Sequence, residues 1–207
     1  MPTLPPLSST LVTASALLPF LTYCMVMSIT PGPNNVLLTN TGAQFGYRRA
    51  VPQILGNCTG VALLTLLCCL GLGQLFVLYP WLQTGLRVGG TLYLLYLAYQ
   101  LSRATLQAGR AVQPLSFWQG LGFQAINPKS WVRAVTVATV FTPSDMGLLP
   151  ATLLLSSLGF AVGFPCTSVW ALFGTLLRQQ LQEPRKQRWF NALMAALLVW
   201  LAIGFWW

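Results

Sequence analysis

The sequence predicts an all-α membrane protein whose six transmembrane helices form two inverted three-helix repeats, with the first and fourth helices broken near their middles. Three observations predict it. Of 207 residues, 55% are hydrophobic and only 6% charged, against the roughly 25% charged that keeps a soluble domain in water. A crossing of about 30 Å of hydrocarbon takes roughly 20 apolar residues, and the chain divides into six such stretches with short connections. Finally, most of the basic residues behind the net charge of +9 sit in three short segments between apolar runs, the distribution that cytoplasmic loops require.

The first span runs from Leu11 to Ile29. The first 47 residues carry no charged side chain, so the basic start of a cleaved secretory signal is missing and this helix is expected to stay in the mature protein. It meets Thr30-Pro31-Gly32-Pro33-Asn34-Asn35, through which no helix passes unbroken, and resumes at Val36. Gly46-Tyr47-Arg48-Arg49 reads as a helix stop and loop. A second span follows within Ala50–Leu86, ending near Tyr79-Pro80, and a third from Trp81 to Gln100. The fourth, Phe117–Phe141, is interrupted by Asn127-Pro128-Lys129. The fifth covers Met146–Leu177, and the sixth runs from Trp189 to an aromatic interfacial anchor at Phe205-Trp206-Trp207.

Charge sets the orientation. Arg48 and Arg49 follow span one, Arg103 and Arg110 follow span three, and Arg178, Arg185, Lys186 and Arg188 follow span five. The opposite side offers Asp145 and the nearby Arg87. These loops therefore belong in the cytoplasm, with both termini outside. Three spans per half make any internal similarity an inverted repeat, with repeat one at about 8–102 and repeat two at about 116–207 of a single transmembrane domain, 1–207. Spans one and four share the break, and spans two and five share G-x-x-x-G (Gly56 with Gly60, Gly159 with Gly163), although glycines four apart are also common packing devices in membrane helices.

The breaks are the candidate site. In hydrocarbon an unpaired backbone group costs several kcal/mol, so broken helices are tolerated only where protein or a watery cavity receives them. Pro31, Gly32, Pro33, Asn34 and Asn35 form the first break. At the second, Asn127 suits an N-cap and Pro128 the first helical position. Both half-helix N-termini then aim free N–H groups at the interior, where an anion is welcome. Lys129 and Arg133 stand four apart on one helical face, with no acid in any span to pair them, and Gln124 adds a buried amide. A charge at membrane depth costs roughly 2.5–3.5 kcal/mol or more, which favours a substrate carboxylate as partner, at Lys129 ahead of Arg133. The bland alternatives are a headgroup position for both cations, a packing kink at Pro31-Gly32-Pro33, and a neighbour-satisfied Gln124.

The segment Ser28-Ile29-Thr30-Pro31-Gly32-Pro33-Asn34-Asn35, with Gly42, Gly46, Arg48, Gly56 and Gly60, resembles the N-terminal signature of LysE/RhtB amino-acid exporters. Phe117–Lys129, with Gly120, Gly122, Phe123 and Asn127-Pro128-Lys129, resembles the family's second signature. Phe117-Trp118 and Val169-Trp170-Ala171-Leu172-x-Gly174 look most like the branch exporting cysteine and O-acetylserine. The resemblance implies secondary active efflux of amino acids or their metabolites across a bacterial inner membrane by a multi-pass protein, driven by the proton gradient and needing no cofactor. Two departures stand against the full pattern: Asp145 and Glu183, the only acids, fall in loops, and no core carboxylate awaits an ammonium group. Asn34, Asn35, freed carbonyls or an aromatic face remain as its acceptors.

The expected partners are an amino-acid-like small molecule, the lipid bilayer and, for some members of such a fold, a second copy of the chain; the clustered basic charge is a topology signal and not a nucleic-acid surface. Cys24, Cys58, Cys68, Cys69 and Cys166 lie in apolar runs without C-x-x-C spacing and read as packing residues. They leave a membrane thiol or metal-handling protein as the alternative function, and a non-transporting assembly subunit as a third. With no histidine and no nucleophile–base set, an enzyme is not expected.

Overall fold

A computed structural model describes residues 7–103, 113–143 and 146–206, with side chains from Leu17 onward in the first helix and without those of Phe76 and Val77. Arg110, Asp145 and Trp207 lie outside the described residues. All regular elements in the described chain are helical: α1 Leu7–Ile29, α2 Pro33–Phe45, α3 Tyr47–Cys69, α4 Leu75–Leu78, α5 Trp81–Arg103, α6 Phe117–Ile126, α7 Pro128–Val140, α8 Leu148–Leu177 and α9 Pro184–Gly204. On length and composition alone α3, α8 and α9 can cross a membrane, while the apolar Leu17–Ile29 part of α1 is shorter.

Both expected breaks are present. The chain leaves α1 at Ile29 and restarts with Pro33 at the first position of α2; it leaves α6 at Ile126 and restarts with Pro128 in α7. Other boundaries move. The loop expected at 46–49 is a single residue, Gly46, whose φ of 83° admits few side chains, so Arg48 and Arg49 stand in the first turn of α3. The second span stops ten residues short of Tyr79, at Cys69, because Gly71 takes φ 110° and a 3₁₀ turn at Leu72–Gln74 leads into the short α4. The last helix starts at Pro184, taking Arg185, Lys186 and Arg188 into its first turns. Cations at helix N-termini oppose the macrodipole by a few tenths of a kcal/mol; the larger cost of moving a charge through hydrocarbon keeps them at that end.

The helices meet in a pattern that positions the breaks. α3 lies along α8 and α5 along α9, with α2 packed on α8 and α6 on α3. Glycine makes the last two crossings close. A Cβ at Gly42 would stand 2.1 Å from the Ala171 carbonyl oxygen, one at Gly174 2.0 Å from that of Thr39, and one at Gly56 2.1 Å from that of Phe117. These are backbone-on-backbone contacts. At Gly120 a Cβ would fall 2.8 Å from the Gln53 carbonyl oxygen and 2.9 Å from Asn57 Oδ1. Gly120→Ala is therefore expected to cost about 1–3 kcal/mol through forced separation of α3 and α6, read as a lowered thermal unfolding midpoint in detergent.

The largest apolar cluster joins Leu94, Leu97, Ala98 and Leu101 of α5 to Met194, Ala195, Leu198 and Ala202 of α9, with Val36 and Leu37 of α2. A second, Leu38, Ala50, Ile54, Cys58 and Ala171, ties α2, α3 and α8. Numerous large apolar side chains remain outward, among them Leu18, Leu92, Val132, Val140, Leu176 and Leu193, a surface suited to lipid. The five cysteines are free thiols, with Cys24, Cys58 and Cys68 inside apolar clusters.

Candidate functional site

Breaking α1 frees carbonyl groups that the helix can no longer use, and in a dry interior each needs a donor. The structure supplies one for each in turn. Asn35 Nδ2 donates to the Ser28 and Thr30 carbonyls at 2.9 and 2.8 Å, Trp170 Nε1 to Ile29 at 3.1 Å, and Lys129 Nζ to Thr30 at 2.9 Å and Pro31 at 3.3 Å. Lys129 Nζ also meets Thr30 Oγ1 at 2.9 Å, so all the ammonium hydrogens have acceptors at the negative end of α1. Gly32 gives it room, since a Cβ there would stand 3.0 Å from Nζ.

At the second break Asn127 Oδ1 accepts from the Lys129 backbone N–H at 3.1 Å, the N-cap expected from the sequence. Trp131 Nε1 donates to the Ala125 carbonyl at 2.8 Å, serving the end of α6 as Trp170 serves the end of α1. An amide pair links the breaks: Asn34 Nδ2 donates to Gln124 Oε1 at 3.0 Å and Gln124 Nε2 returns to Asn34 Oδ1 at 3.1 Å. Ser130 Oγ donates to the same Gln124 Oε1 at 2.7 Å, and Gln124 Nε2 reaches Asn57 Oδ1 at 3.1 Å. Gln124 is thus satisfied by its neighbours and holds the two breaks in register.

Between the breaks lies a cavity of about 50 Å³. Gly32, Pro33, Asn34, Asn35, Asn127, Lys129 and Arg133 all line it, whereas Pro31, Gln124 and Pro128 stand behind its wall. Arg133 is the exceptional member. It is 8% exposed, donating from Nη1 to Ser28 Oγ at 2.9 Å and from Nη2 to the Gly159 carbonyl at 3.1 Å, with the weakly accepting Cys24 thiol beside it. Its charge has no acidic partner among the described residues. Glu183, the acid they contain, pairs with Lys186 at 2.8 Å on the exterior.

Four contributors escaped the sequence reading of the site. Asn57 lines the cavity at 2% exposure, and its Nδ2 is a buried donor with no partner. Ser28 carries one of the two guanidinium contacts. Gly159 and Gly163 were read as a mark of the repeat or a packing motif; they lie against the Arg133 guanidinium, whose nitrogens would stand 3.4 and 3.9 Å from a Cβ placed on them. A polar residue inside an uncharged span was the available signal for Asn57 and Ser28. The two G-x-x-x-G motifs differ: Gly56 and Gly60 admit the close approach of α6, whereas Gly159 and Gly163 face the Arg133 guanidinium at ordinary contact distance.

Residues 25–207 match the family model described as LysE type translocator. The chain belongs to that family. It is 32% identical over 189 residues to the cysteine/O-acetylserine efflux protein of Klebsiella pneumoniae subsp. pneumoniae, covering 89% of this chain and 93% of the relative. It is 29% identical over 192 residues to the protein of the same description in Escherichia coli K12, covering 92% and 97%. No solved structure matches the chain significantly. Family and branch agree with the two signatures quoted from the sequence, and together with the apolar helices they make this LysE-family chain a membrane protein and a translocator.

Proposed function

We propose that this chain is a secondary exporter of amino acids or amino-acid metabolites, of the cysteine and O-acetylserine kind, across a bacterial inner membrane. The observation that carries the reading is Arg133: a buried cation with no acidic partner among the described residues, facing a cavity walled by two broken helices. A guanidinium binds a carboxylate in a planar, two-pronged fashion, and the partnerless Asn57 Nδ2 is a further donor beside it. Asn34 and Asn35 offer neutral acceptors to the ammonium group. Lys129, with its hydrogens already engaged, acts as the brace of the first break.

The architecture that goes with this reading is a single domain of six crossings, with α1–α2 and α6–α7 as the broken members of two inverted repeats and the basic loops cytoplasmic. The pairing of α3 with α8 and of α5 with α9 supports it, because those are the pairs a two-fold axis in the membrane plane would bring together. So does the meeting of Gly46 with Arg178, whose Nη1 stands 3.2 Å from the place of a Gly46 Cβ, putting two of the basic segments on one side. Transport in this reading proceeds by rocking of the repeats about the cavity, with the proton gradient as driving force.

Inside-out vesicles containing the protein are expected to take up labelled O-acetylserine or cysteine several-fold faster than vesicles lacking it, and an uncoupler is expected to abolish the difference. Uptake indifferent to the uncoupler would make the protein a facilitator; the absence of protein-dependent uptake for any amino acid would refute the reading.

A further inference from the structure

The helices around the cavity pack differently on its two sides. Toward the basic loops the seals are backbone crossings, with Gly42 and Gly174 locking α2 on α8 and Gly56 locking α3 on α6 at virtual Cβ distances of 2.0–2.1 Å. Toward the opposite side, where α8 begins, the nearest atoms to a Cβ placed on Gly159 or Gly163 are side-chain tips: Arg133 Nη2 at 3.4 Å and Cys24 Sγ at 4.0 Å for the first, Cys58 Sγ at 3.7 Å and Ser28 Oγ at 3.8 Å for the second. A side-chain contact can open by a change of rotamer, whereas interlocked backbones separate only when whole helices move.

The face of α8 that carries Gly159 and Gly163 continues, at helical spacing, to Ser156 and Thr152. Both are buried, at 7% and 0% exposure, and neither hydroxyl has a partner. A helical serine or threonine ordinarily returns its hydroxyl to the carbonyl four residues back, as Thr167 does to Gly163 at 2.8 Å and Thr175 to Ala171 at 2.8 Å on this helix. Two orphaned hydroxyls, one turn apart and leading away from a polar cavity, are groups without a partner in the closed state and with one when water or a zwitterion passes. Over this end lies a ring cluster. Phe141, just past α7, meets Phe20 edge-on at 5.6 Å and Tyr23 at 5.4 Å, both from α1, and Phe20 packs with Leu155 and Val137.

We propose that the Thr152–Ser156–Gly159–Gly163 face of α8 is the release passage of the cavity, and that Phe20, Tyr23 and Phe141 are the side-chain gate at its far end. The inference rests on the exporter reading for what passes, an amino-acid zwitterion with its waters, but the passage and its gate are properties of the fold. In this conformation the protein is locked on the basic side and latched only by side chains on the other.

Cys58 lines the cavity and reports on access to it. In sealed vesicles of each orientation, a membrane-impermeant methanethiosulfonate is applied to one face, and modification of Cys58 is followed by mass spectrometry; an added Arg185→Cys marks the basic face. Cys58 is expected to react at least tenfold faster from the face opposite Arg185→Cys, and Phe141→Ala is expected to accelerate it a further several-fold from that face only. Faster reaction from the basic face, or no acceleration in Phe141→Ala, overturns the proposal. A conformational effect of Phe141→Ala is checked with Ser156→Leu, which fills the passage and should slow Cys58 modification from the same face; unchanged modification overturns it equally. Protection of Cys58 by O-acetylserine tests the exporter reading separately, since the face preference does not depend on it.

Discussion

Replacing Arg133 by methionine is expected to make the protein more stable and to stop it transporting. The guanidinium is buried at membrane depth with a serine hydroxyl, one backbone carbonyl and a thiol for company, and no acidic group among the described residues. A charge so placed costs roughly 2.5–3.5 kcal/mol, and the two hydrogen bonds return only part of that. Methionine fills similar length without the charge and leaves Gly159 and Ser28 with groups that a helix already serves. A gain of about 1–3 kcal/mol in unfolding free energy follows, visible as a higher unfolding midpoint in detergent. Uptake into inside-out vesicles should fall about 100-fold, the equivalent of roughly 3 kcal/mol for two charge-assisted hydrogen bonds to a carboxylate. Retained uptake would remove Arg133 from the binding role. A fall in stability would mean that the guanidinium is there to hold Ser28 and Gly159 together.

That pairing of lost function with gained stability is the mark of a residue retained at a cost, and it bears on how much of this protein was readable in the sequence. Helix breaks were readable where proline is joined by glycine or by a capping asparagine: Pro31-Gly32-Pro33 and Asn127-Pro128 break their helices, whereas the lone Pro19, Pro52 and Pro165 are carried inside α1, α3 and α8. The end of α3 at Cys69 was missed although Gly71 and Gly73 signalled it, since an uncharged apolar run reads as one span when hydropathy outweighs punctuation.

The division of labour at the site was not readable, because it depends on which carbonyls the first break leaves exposed and which side chains reach them across 99 residues of chain. Two cations four apart on one helix are alike in sequence. In three dimensions one faces the negative end of α1 and the other faces the cavity and two absent glycine side chains. The same holds for Gly159-x-x-x-Gly163 against Gly56-x-x-x-Gly60: the spacing is identical, and only the partner helix decides whether the space receives a backbone or a guanidinium.

Lys129→Met should separate the two cations. Removing the ammonium leaves the Pro31 carbonyl without its donor and the Thr30 carbonyl with only Asn35. Pro31 is exposed and Thr30 keeps Asn35, so the lost hydrogen bonds cost at the low end of the usual range, about 1 kcal/mol, and the loss of a positive group from the end of α1 adds up to about 1 kcal/mol through the helix dipole. The expected result is a destabilisation of about 1–2 kcal/mol, with less folded protein recovered from membranes. Transport per folded molecule, measured below the lowered unfolding midpoint, should stay within about threefold of the parent, because the proposed carboxylate partner is Arg133. Lys129→Arg keeps donors at the break and is expected to recover most of the stability. Should Lys129→Met instead unfold no more easily than the parent while losing uptake about 100-fold, the substrate carboxylate would belong to Lys129, and the first break would be held by Asn35 and Trp170 alone.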